Sequence, residues 1–215
     1  MTQEKSMPVG RVRDAERTRA ELLAVATDEF AERGYSGARV DEIANRTRTT
    51  KRMIYYYFGG KEQLYLAVLE RAYAEIRAAE RAVDVEHLDP VAAVRRLAEV
   101  TFDHHEAHPA FIKLVGVENA QYAKHMNHVA RLVDLNSSAV ALLDAVLERG
   151  RRDGVFREGA DALDVHMLIS SFCFFRVANR HTFGALFDRD LLDPDRRSFY
   201  RTMLGDLVTG YLREV

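Results

Sequence analysis

Residues Ile43–Lys61 read Ile-Ala-Asn-Arg-Thr-Arg-Thr-Thr-Lys-Arg-Met-Ile-Tyr-Tyr-Tyr-Phe-Gly-Gly-Lys. This segment holds five basic residues, three consecutive tyrosines and no acidic residue. Cations neutralise phosphates, and the hydroxyls of Thr and Tyr donate hydrogen bonds to them, so the combination suits the surface of a nucleic-acid duplex. Thr50 has the side chain of a helix N-cap, and the helix that it opens would run to about Tyr57. The segment therefore predicts a DNA-recognition helix.

Helices are also predicted on both sides of this segment. Apolar residues recur at helical spacing over 17–34, and a short second helix covers about 40–46. A turn at 47–49 joins that helix to the recognition helix. The two short helices and their turn form a helix-turn-helix motif, and the first helix braces it. Gly59-Gly60 then breaks the chain, and Lys61 opens a longer helix.

The remaining two thirds of the chain also read as helical. Asp89-Pro90 and Asp193-Pro194 each look like an N-cap followed by proline at the first helical position. Further helices are predicted over Pro109–Glu118, Val129–Arg149 and Asp161–Asn179. No segment alternates apolar and polar residues over a sustained length, so no sheet is expected.

The predicted helix Asp161–Asn179 is apolar nearly all round. A helix of this kind must be buried on several sides. One way to achieve this burial is to pack the helix against a second copy of the chain. The Pro194–Leu212 helix could add to such an interface.

The composition is that of an intracellular globular protein. The 215 residues carry a net charge of −2, and the basic excess is confined to the N-terminal quarter. The single cysteine, Cys173, allows no internal disulfide, indicates a reducing compartment and lies in an apolar run that suits core packing. No secretory signal is visible at Met1–Gly10, and the apolar run Met167–Phe175 is too short to span a bilayer. We therefore expect a cytoplasmic protein that does not bind membranes.

The N-terminal quarter resembles the TetR family of one-component transcriptional regulators. The resemblance covers about Arg17–Glu70. It rests on Phe30, Gly34-Tyr35, Val40, Ile43-Ala44, Lys51, Ile54-Tyr55-Tyr56-Tyr57-Phe58, Lys61-Glu62 and Leu64. It implies an all-α protein of about nine helices, in which helices one to three bind DNA, four to seven enclose a ligand, and eight and nine dimerise. The domains expected are a disordered arm at 1–14, a helix-turn-helix DNA-binding domain at 15–60, and a helical ligand-binding and dimerisation domain at 61–215.

Two residues in the turn depart from the family pattern. Arg48 stands where such proteins usually have glycine, and Thr49 where they usually have a buried valine. If the backbone at Arg48 is left-handed, arginine costs on the order of 1 kcal/mol there. Arg48 could instead gain a phosphate contact.

Carried over residue by residue, the resemblance implies a set of DNA contacts. Lys51, Arg52 and Met53 would read base edges in the major groove, since Lys and Arg favour guanine acceptors and methionine can meet a thymine methyl. The residues expected to hold phosphates are Arg39, Arg48, Thr50, Tyr55, Tyr56 and Lys61. Ile54 and Phe58 are expected in the core, and Tyr57 suits either role.

Polar and aromatic residues within the later helices are candidates for contacts to a small molecule. They are Phe111, Glu118, Asn119, Tyr122, His125, His166, Phe172, Arg176 and Asn179. Each could instead be an ordinary core or surface residue, and Arg176 must be paired, exposed or opposite an acidic ligand. His104 and His108 lie one turn apart, but no Cys or carboxylate pattern accompanies them, so capping or solvent exposure is expected rather than a metal.

The sequence therefore predicts a ligand-responsive regulator, by family default a repressor. It would bind double-stranded DNA at an inverted-repeat operator as a homodimer and be released by an unknown small-molecule effector. We expect no catalytic residues, because the chain has no phosphate loop, no nucleophile motif and no close pair of candidate catalytic carboxylates, and we expect no cofactor. The main alternative is a helical protein that binds a small molecule or a metal without specific DNA binding.

Overall fold

The computed structural model describes residues 9–127 and 129–213, with side chains from residue 14 onward. These residues form ten helices and no strand. None of the helices in these two ranges is both long and apolar enough to cross a membrane. The helices are α1 (Val9–Gly37), α2 (Val40–Arg46), α3 (Lys51–Phe58), α4 (Lys61–Arg81), α5 (Pro90–Ala107), α6 (Pro109–Ala120), α7 (Ala130–Arg152), α8 (Ala162–Ala178), α9 (Arg180–Phe187) and α10 (Pro194–Leu212).

The all-α prediction is confirmed, and the structure adds one helix to the nine expected. The additional helix is α9, which follows α8 after the single residue Asn179. It spans only 8 residues and contains Gly184, so it has too little length to give a separate periodic signal. At the other end of the chain, α1 takes in residues 9–14 of the predicted arm, and residues 1–8 lie outside the described part.

Side-chain caps fix the helix starts that the sequence predicted. The Thr50 hydroxyl accepts a hydrogen bond from the Met53 N–H at 3.3 Å and opens α3. Asp89 caps α5 by accepting from the Ala92 N–H at 2.9 Å, and Asp193 caps α10 in the same way. Each cap satisfies a backbone donor that has no partner within the helix.

Gly34 interrupts the regular geometry of α1. Its backbone has φ 66° and ψ 175°, a conformation that favours glycine. A Cβ atom at this position would lie 3.7 Å from Val117 of α6. The glycine therefore ends the regular part of α1, as predicted, because of its positive φ, whereas a Cβ there would make only an ordinary contact with Val117.

The turn between α2 and α3 places Arg48 in the left-handed region, with φ 51°. Backbone hydrogen bonds hold the turn closed, since the Thr49 N–H donates to the Ala44 carbonyl at 3.0 Å. The Thr47 hydroxyl also donates to the Ile43 carbonyl at 2.8 Å. Arg48 thus has the left-handed backbone conformation that was considered for it because the family usually has glycine at this position.

Two apolar cores run through the molecule. The first core joins helices α1–α4 to α6 and includes the fully buried Phe30 and Ile54 together with Leu114 of α6. The second core lies among α5, α7, α8 and α10. The predicted domain boundary at residue 60 separates α3 from α4 in the chain, but the first core continues across it.

Cys173 is buried in the second core, where it is 1% exposed. Burial raises the pKa of its thiol to about 12, so the side chain packs as an uncharged apolar group. The predicted core role of this cysteine is confirmed.

Histidines at the end of α5 pack as uncharged aromatic rings. His104 stacks on His108 with 4.1 Å between ring centroids, and His104 and His105 both lie edge-on to Phe111. Burial lowers the pKa of His104 to about 3 and that of His105 to about 4. The predicted solvent exposure is therefore wrong for His104, because α6 and α8 cover this end of α5, whereas His108 forms the C-cap of α5.

Replacing Arg48 with glycine should raise the free energy of unfolding by a few tenths to about 1 kcal/mol, because it relieves the backbone strain in the folded protein. The greater conformational freedom of glycine in the unfolded chain offsets part of this gain. Urea denaturation of the purified protein measures this change. Arg52→Gly is the matched control, since Arg52 is helical, and it should lower stability by up to about 1 kcal/mol. Equal losses in both variants would contradict strain at Arg48.

Stability should fall as the pH is lowered from about 6.5 towards 4. The pKa values of His104 and His105 in the folded protein lie below the usual histidine value of about 6.5, so the unfolded chain binds these protons first. The stabilisation is complete above pH 6.5 and is lost as pH falls towards the folded values. His104→Phe should flatten this dependence in urea titrations at several pH values.

The exposed His87 provides a control for this titration. Its hydrogen bond to Asp84 raises the pKa of His87, so it contributes stability with the opposite pH dependence. His87→Gln should therefore steepen the loss at low pH rather than flatten it. An unchanged slope in His104→Phe would show that His104 does not carry the effect.

Candidate nucleic-acid interface and ligand cavity

Helix α3 has one buried side and one exposed side. Ile54 and Phe58 lie one turn apart and anchor the helix in the first core, as expected. Lys51, Arg52 and Met53 occupy its first turn and are exposed. The predicted base-reading residues therefore stand together at the accessible N-terminal end of the helix.

The tyrosine run divides between solvent and core. Tyr55 is 43% exposed and Tyr56 is 78% exposed, whereas Tyr57 is half-buried and packs against the first core. Tyr55 and Tyr56 follow Lys51 and Arg52 by one helical turn on α3, and Thr50 before the helix is also exposed. This surface combines hydroxyl groups with the cations that phosphates require.

Lys51 makes an ion pair with Asp41 of α2 at 3.1 Å, and both side chains are half exposed. An exposed ion pair of this kind contributes little, at most about 1 kcal/mol, so Lys51 can exchange it for another acceptor. The neighbouring Arg52 is exposed as well. Asp41 thus draws the side chain of Lys51 towards α2 without fixing it there.

The other predicted phosphate contacts lie on the segments before and after α3. Arg48 is exposed in the turn, and Arg39 is exposed at the start of α2, where its N–H donates to Glu29 at 3.2 Å. Lys61 is half-buried at the start of α4, with its Nζ 3.4 Å from the Ser36 carbonyl. Burial lowers the pKa of Lys61. Of the six predicted phosphate contacts, Lys61 is the least exposed.

A buried hydrogen-bonded group, here called the Glu118 junction, connects α4, α6 and the loop after α6. The Tyr65 hydroxyl donates to Glu118 Oε1 at 2.8 Å, and the His125 N–H donates to Glu118 Oε2 at 3.2 Å. His125 Nδ1 lies 3.0 Å from Oε1 and must carry the proton, since a carboxylate only accepts. Burial raises the pKa of Tyr65, which stays protonated as the donor.

The junction also contacts the end of α1. The Tyr35 ring lies 4.1 Å from the His125 ring and 5.2 Å from the Tyr65 ring, measured between centroids. Next to it, Val117 of α6 lies against Gly34. The helices that present α3 are therefore packed directly on α6 and its following loop.

Two adjacent spaces lie between α4 and the later helices. An inner cavity of about 320 Å³ is enclosed by α4, α5, α6, α7 and α8, and Arg77 and His105 line it. An outer cleft of about 920 Å³ lies between α4, α7 and α8 and opens to the surface. Tyr73, Asn136 and His166 line both spaces, so the two are adjacent, and each is of a size that small molecules occupy.

The structure places Phe111 and His166 in this site, as predicted, and places other predicted ligand contacts elsewhere. Glu118 and His125 are committed to the junction. Arg176 is 3% exposed and pairs with Glu106 at 3.2 Å and with the Leu191 carbonyl at 2.9 Å. Its charge is paired with Glu106 inside the fold, although its Nε has no hydrogen-bond partner, and Arg176 lines neither of the two spaces.

The remaining four predicted ligand contacts also lie away from the two spaces. Asn119 is exposed, and Tyr122 is 91% exposed in the loop after α6. Phe172 packs against the second core, and Asn179 forms the C-cap of α8. Asn119, Tyr122 and Asn179 are therefore polar because they lie at the surface or at a helix end, and Phe172 is apolar because it packs against the core.

Sequence reasoning missed the polar residues that do line the inner cavity. Arg77 and His105 are 4% and 5% exposed, and Arg77 pairs with Glu80 at 3.2 Å. A signal was present in the sequence, because Arg77 and Glu80 continue the apolar face of α4 that carries Leu69 and Ile76. Charges on a buried helix face are rare without a partner or a function.

Comparisons with known proteins agree with this arrangement. The family model described as "Bacterial regulatory proteins, tetR family" matches residues 22–68, and the model described as "Tetracyclin repressor-like, C-terminal domain" matches residues 90–208. The chain is 34% identical to the HTH-type transcriptional repressor NicS of Pseudomonas putida over 203 residues, which cover 94% of this chain and 96% of that protein.

Two Streptomyces coelicolor proteins are also similar. The HTH-type transcriptional repressor SCO4008 is 32% identical over 173 residues, covering 77% of this chain and 81% of that protein. The crystal structure of the transcriptional regulator SCO4942 superposes with a TM-score of 0.67 at 29% identity, covering 88% of this chain and 97% of that chain. The two family models and the near full-length relatives lead to one conclusion: the chain belongs to the TetR family of transcriptional regulators.

Proposed function

We propose that the protein is a transcriptional repressor that binds an inverted-repeat DNA operator as a homodimer and is released by a small molecule. The observation that carries this proposal is the Glu118 junction, which joins the helices that present α3 to the helices that enclose a cavity. The relatives NicS and SCO4008 are both named as repressors. The cytoplasmic location expected from the sequence belongs to the same proposal.

For DNA recognition, the N-terminal end of α3 enters the major groove. Lys51 and Arg52 donate to guanine acceptors, and Met53 meets a thymine methyl. Thr50, Tyr55 and Tyr56 hold phosphates on one side of the groove. Further phosphate contacts come from Arg39, Arg48 and Lys61.

The proposed dimer interface uses α8 and α10, which pack side by side. Exposed apolar residues recur at multiples of four on both helices and form two parallel stripes. The stripes consist of Leu163, Met167 and Phe175 on α8, and of Phe199, Met203 and Leu207 on α10. An apolar face of this kind suits burial against a second copy, which would present two α3 helices to successive grooves about 34–36 Å apart or at a wider spacing.

Regulation requires that the ligand binds better to one arrangement of the helices than to another. Helix α4 contributes Tyr73 to the cavity and Tyr65 to the junction, and α6 contributes Phe111 and Glu118 in the same way. A ligand that shifts α4 against α6 therefore acts on the junction and on the end of α1. The operator-bound dimer would be the arrangement that the ligand disfavours.

A gel shift against the DNA upstream of the chain's own gene, across a salt series, tests the function. Specific shifts that persist at moderate salt support the repressor. Shifts that are indifferent to sequence and disappear at moderate salt support the alternative, a helical binding protein without specific DNA recognition. The relatives are regulators rather than enzymes, and we propose no catalytic activity for this chain.

Arg52→Ala should lose preference at one base pair of the operator, by about 1–3 kcal/mol, because a base contact in the groove is removed. Lys51→Ala should do the same at a neighbouring position. Binding-site selection with the purified variants measures both effects. Tyr55→Phe is the control, since loss of a phosphate contact weakens binding to all sequences alike, and a preferred sequence unchanged by Arg52→Ala would contradict the assignment.

Phe199→Glu should dissociate the dimer, because it places an unpaired charge in the apolar stripe of α10. The expected cost is about 3 kcal/mol or more, roughly a hundredfold in the dimer dissociation constant. Analytical ultracentrifugation measures this constant, and operator binding should weaken in parallel. Tyr122→Glu is the control, because Tyr122 is exposed on a loop outside the proposed interface; equal effects of the two substitutions would place the interface elsewhere.

A further inference from the structure

The inner cavity has an unusual lining for a space enclosed by apolar helices. Arg77 is almost completely buried, and its Nε and one terminal nitrogen have no hydrogen-bond partner in the protein. The Nδ1 atom of His105, which also lines the cavity, has none either. A buried polar group without a partner costs on the order of 1–3 kcal/mol, so groups of this kind in one cavity indicate a ligand that supplies the missing partner.

The lining of the inner cavity carries one permanent positive charge, that of Arg77. Among the described residues that line it, none is acidic. Glu80, which pairs with Arg77, lines a neighbouring space of about 20 Å³, enough for about one water molecule, which shares His166 with the inner cavity. The ion pair engages one terminal nitrogen of Arg77 and leaves its Nε and its other terminal nitrogen without a partner, beside a cavity whose described lining has no acidic residue.

The neighbouring histidines respond to this charge. Burial lowers the pKa of His105 to about 4 and also lowers the pKa of His166, and the charge of Arg77 acts in the same direction on both. An anion beside Arg77 would therefore meet a positive potential. His105, His166 and Ser170 can each supply a further hydrogen bond at the same wall.

The walls of the cavity are flat and aromatic. Phe111 meets Tyr73 edge-on with 5.2 Å between ring centroids and meets His105 edge-on at 5.4 Å. Phe174 of α8 also lines the cavity. A volume of about 320 Å³ between such walls suits a small ligand with a planar apolar body.

We propose that the effector is a small carboxylic acid with a planar apolar body, whose carboxylate binds Arg77 and whose body packs against Phe111. This inference rests on the proposed function for its regulatory meaning, but the binding site itself is a separate claim. The carboxylate accepts hydrogen bonds from the unpartnered guanidinium nitrogens, since charged pairs of this type are the strong ones. Substituents on the ring extend past Tyr73 and His166 into the outer cleft.

The test uses the full chain without DNA and three acids paired with their amides: benzoate, phenylacetate and cinnamate against benzamide, phenylacetamide and cinnamamide. Isothermal titration calorimetry and thermal unfolding report binding. At least one acid should bind and raise the melting temperature, and its amide should bind at least about thirtyfold more weakly, as for loss of one partner of a buried charge pair.

Arg77→Met should weaken that acid by a similar factor. Because Arg77→Met leaves Glu80 buried without its partner, the double variant Arg77→Met/Glu80→Gln removes both charges and keeps the fold testable. Arg81→Met is the matched control, since Arg81 is the last residue of α4, one turn after Arg77, and is exposed at the helix end, so this variant should bind the acid as the unaltered chain does.

Three results would overturn the proposal: amides that bind as tightly as the acids, a double variant that binds the acid normally, or no binding by any of the three acids at millimolar concentration. A gel shift of the same preparation on its upstream DNA separates this outcome from failure of the proposed function. A chain that binds its operator but ignores all three acids remains a repressor with a different class of effector. A chain that binds an acid through Arg77 but no operator keeps the site and loses the function.

Discussion

The carboxylate of Glu118 is 1% exposed, and the fold must satisfy it. A buried carboxylate without partners would cost several kcal/mol, so Tyr65 and His125 have to remain in place around it. This requirement fixes the end of α6 against α4 and against the loop that follows α6. Because the Tyr35 ring packs on His125, the end of α1 is fixed by the same constraint. The position of the DNA-reading helix relative to the cavity therefore depends on one hydrogen-bonded group.

Helices α4 and α6 each take part in both regions of the molecule. Tyr65 and Tyr73 are two turns apart on α4, and Phe111 and Glu118 are two turns apart on α6, so a rigid helix carries a displacement from cavity to junction. The first apolar core continues from α1–α3 into α4 and α6, and the DNA-binding helices thus do not pack as an independent unit. In the proposed function, ligand binding and DNA binding are coupled through these packed contacts and require no flexible linker.

Local features of the chain were predictable because their causes lie within a few residues. The N-caps at Thr50, Asp89 and Asp193 and the break at Gly34 follow from side-chain and backbone chemistry at single positions. The ligand site was not predictable in the same way. Glu118 and Arg176 look alike in sequence as polar residues in apolar helices, and the partner that satisfies each one lies 53 or 70 residues away. The pairing that removed them from the ligand site depends on helix packing, which periodicity does not specify.

The separation between the Glu118 junction and the lining of the two spaces also bears on divergence within lineages. Asn136, Val140 and Ser170 lie on α7 and α8 and make no contribution to the junction. Substitutions at these positions can change which molecule is accepted while the mechanical link to DNA is inherited intact. Substitutions in the cavity lining can thus change the ligand that is recognised, while the DNA sequence that the protein recognises stays the same.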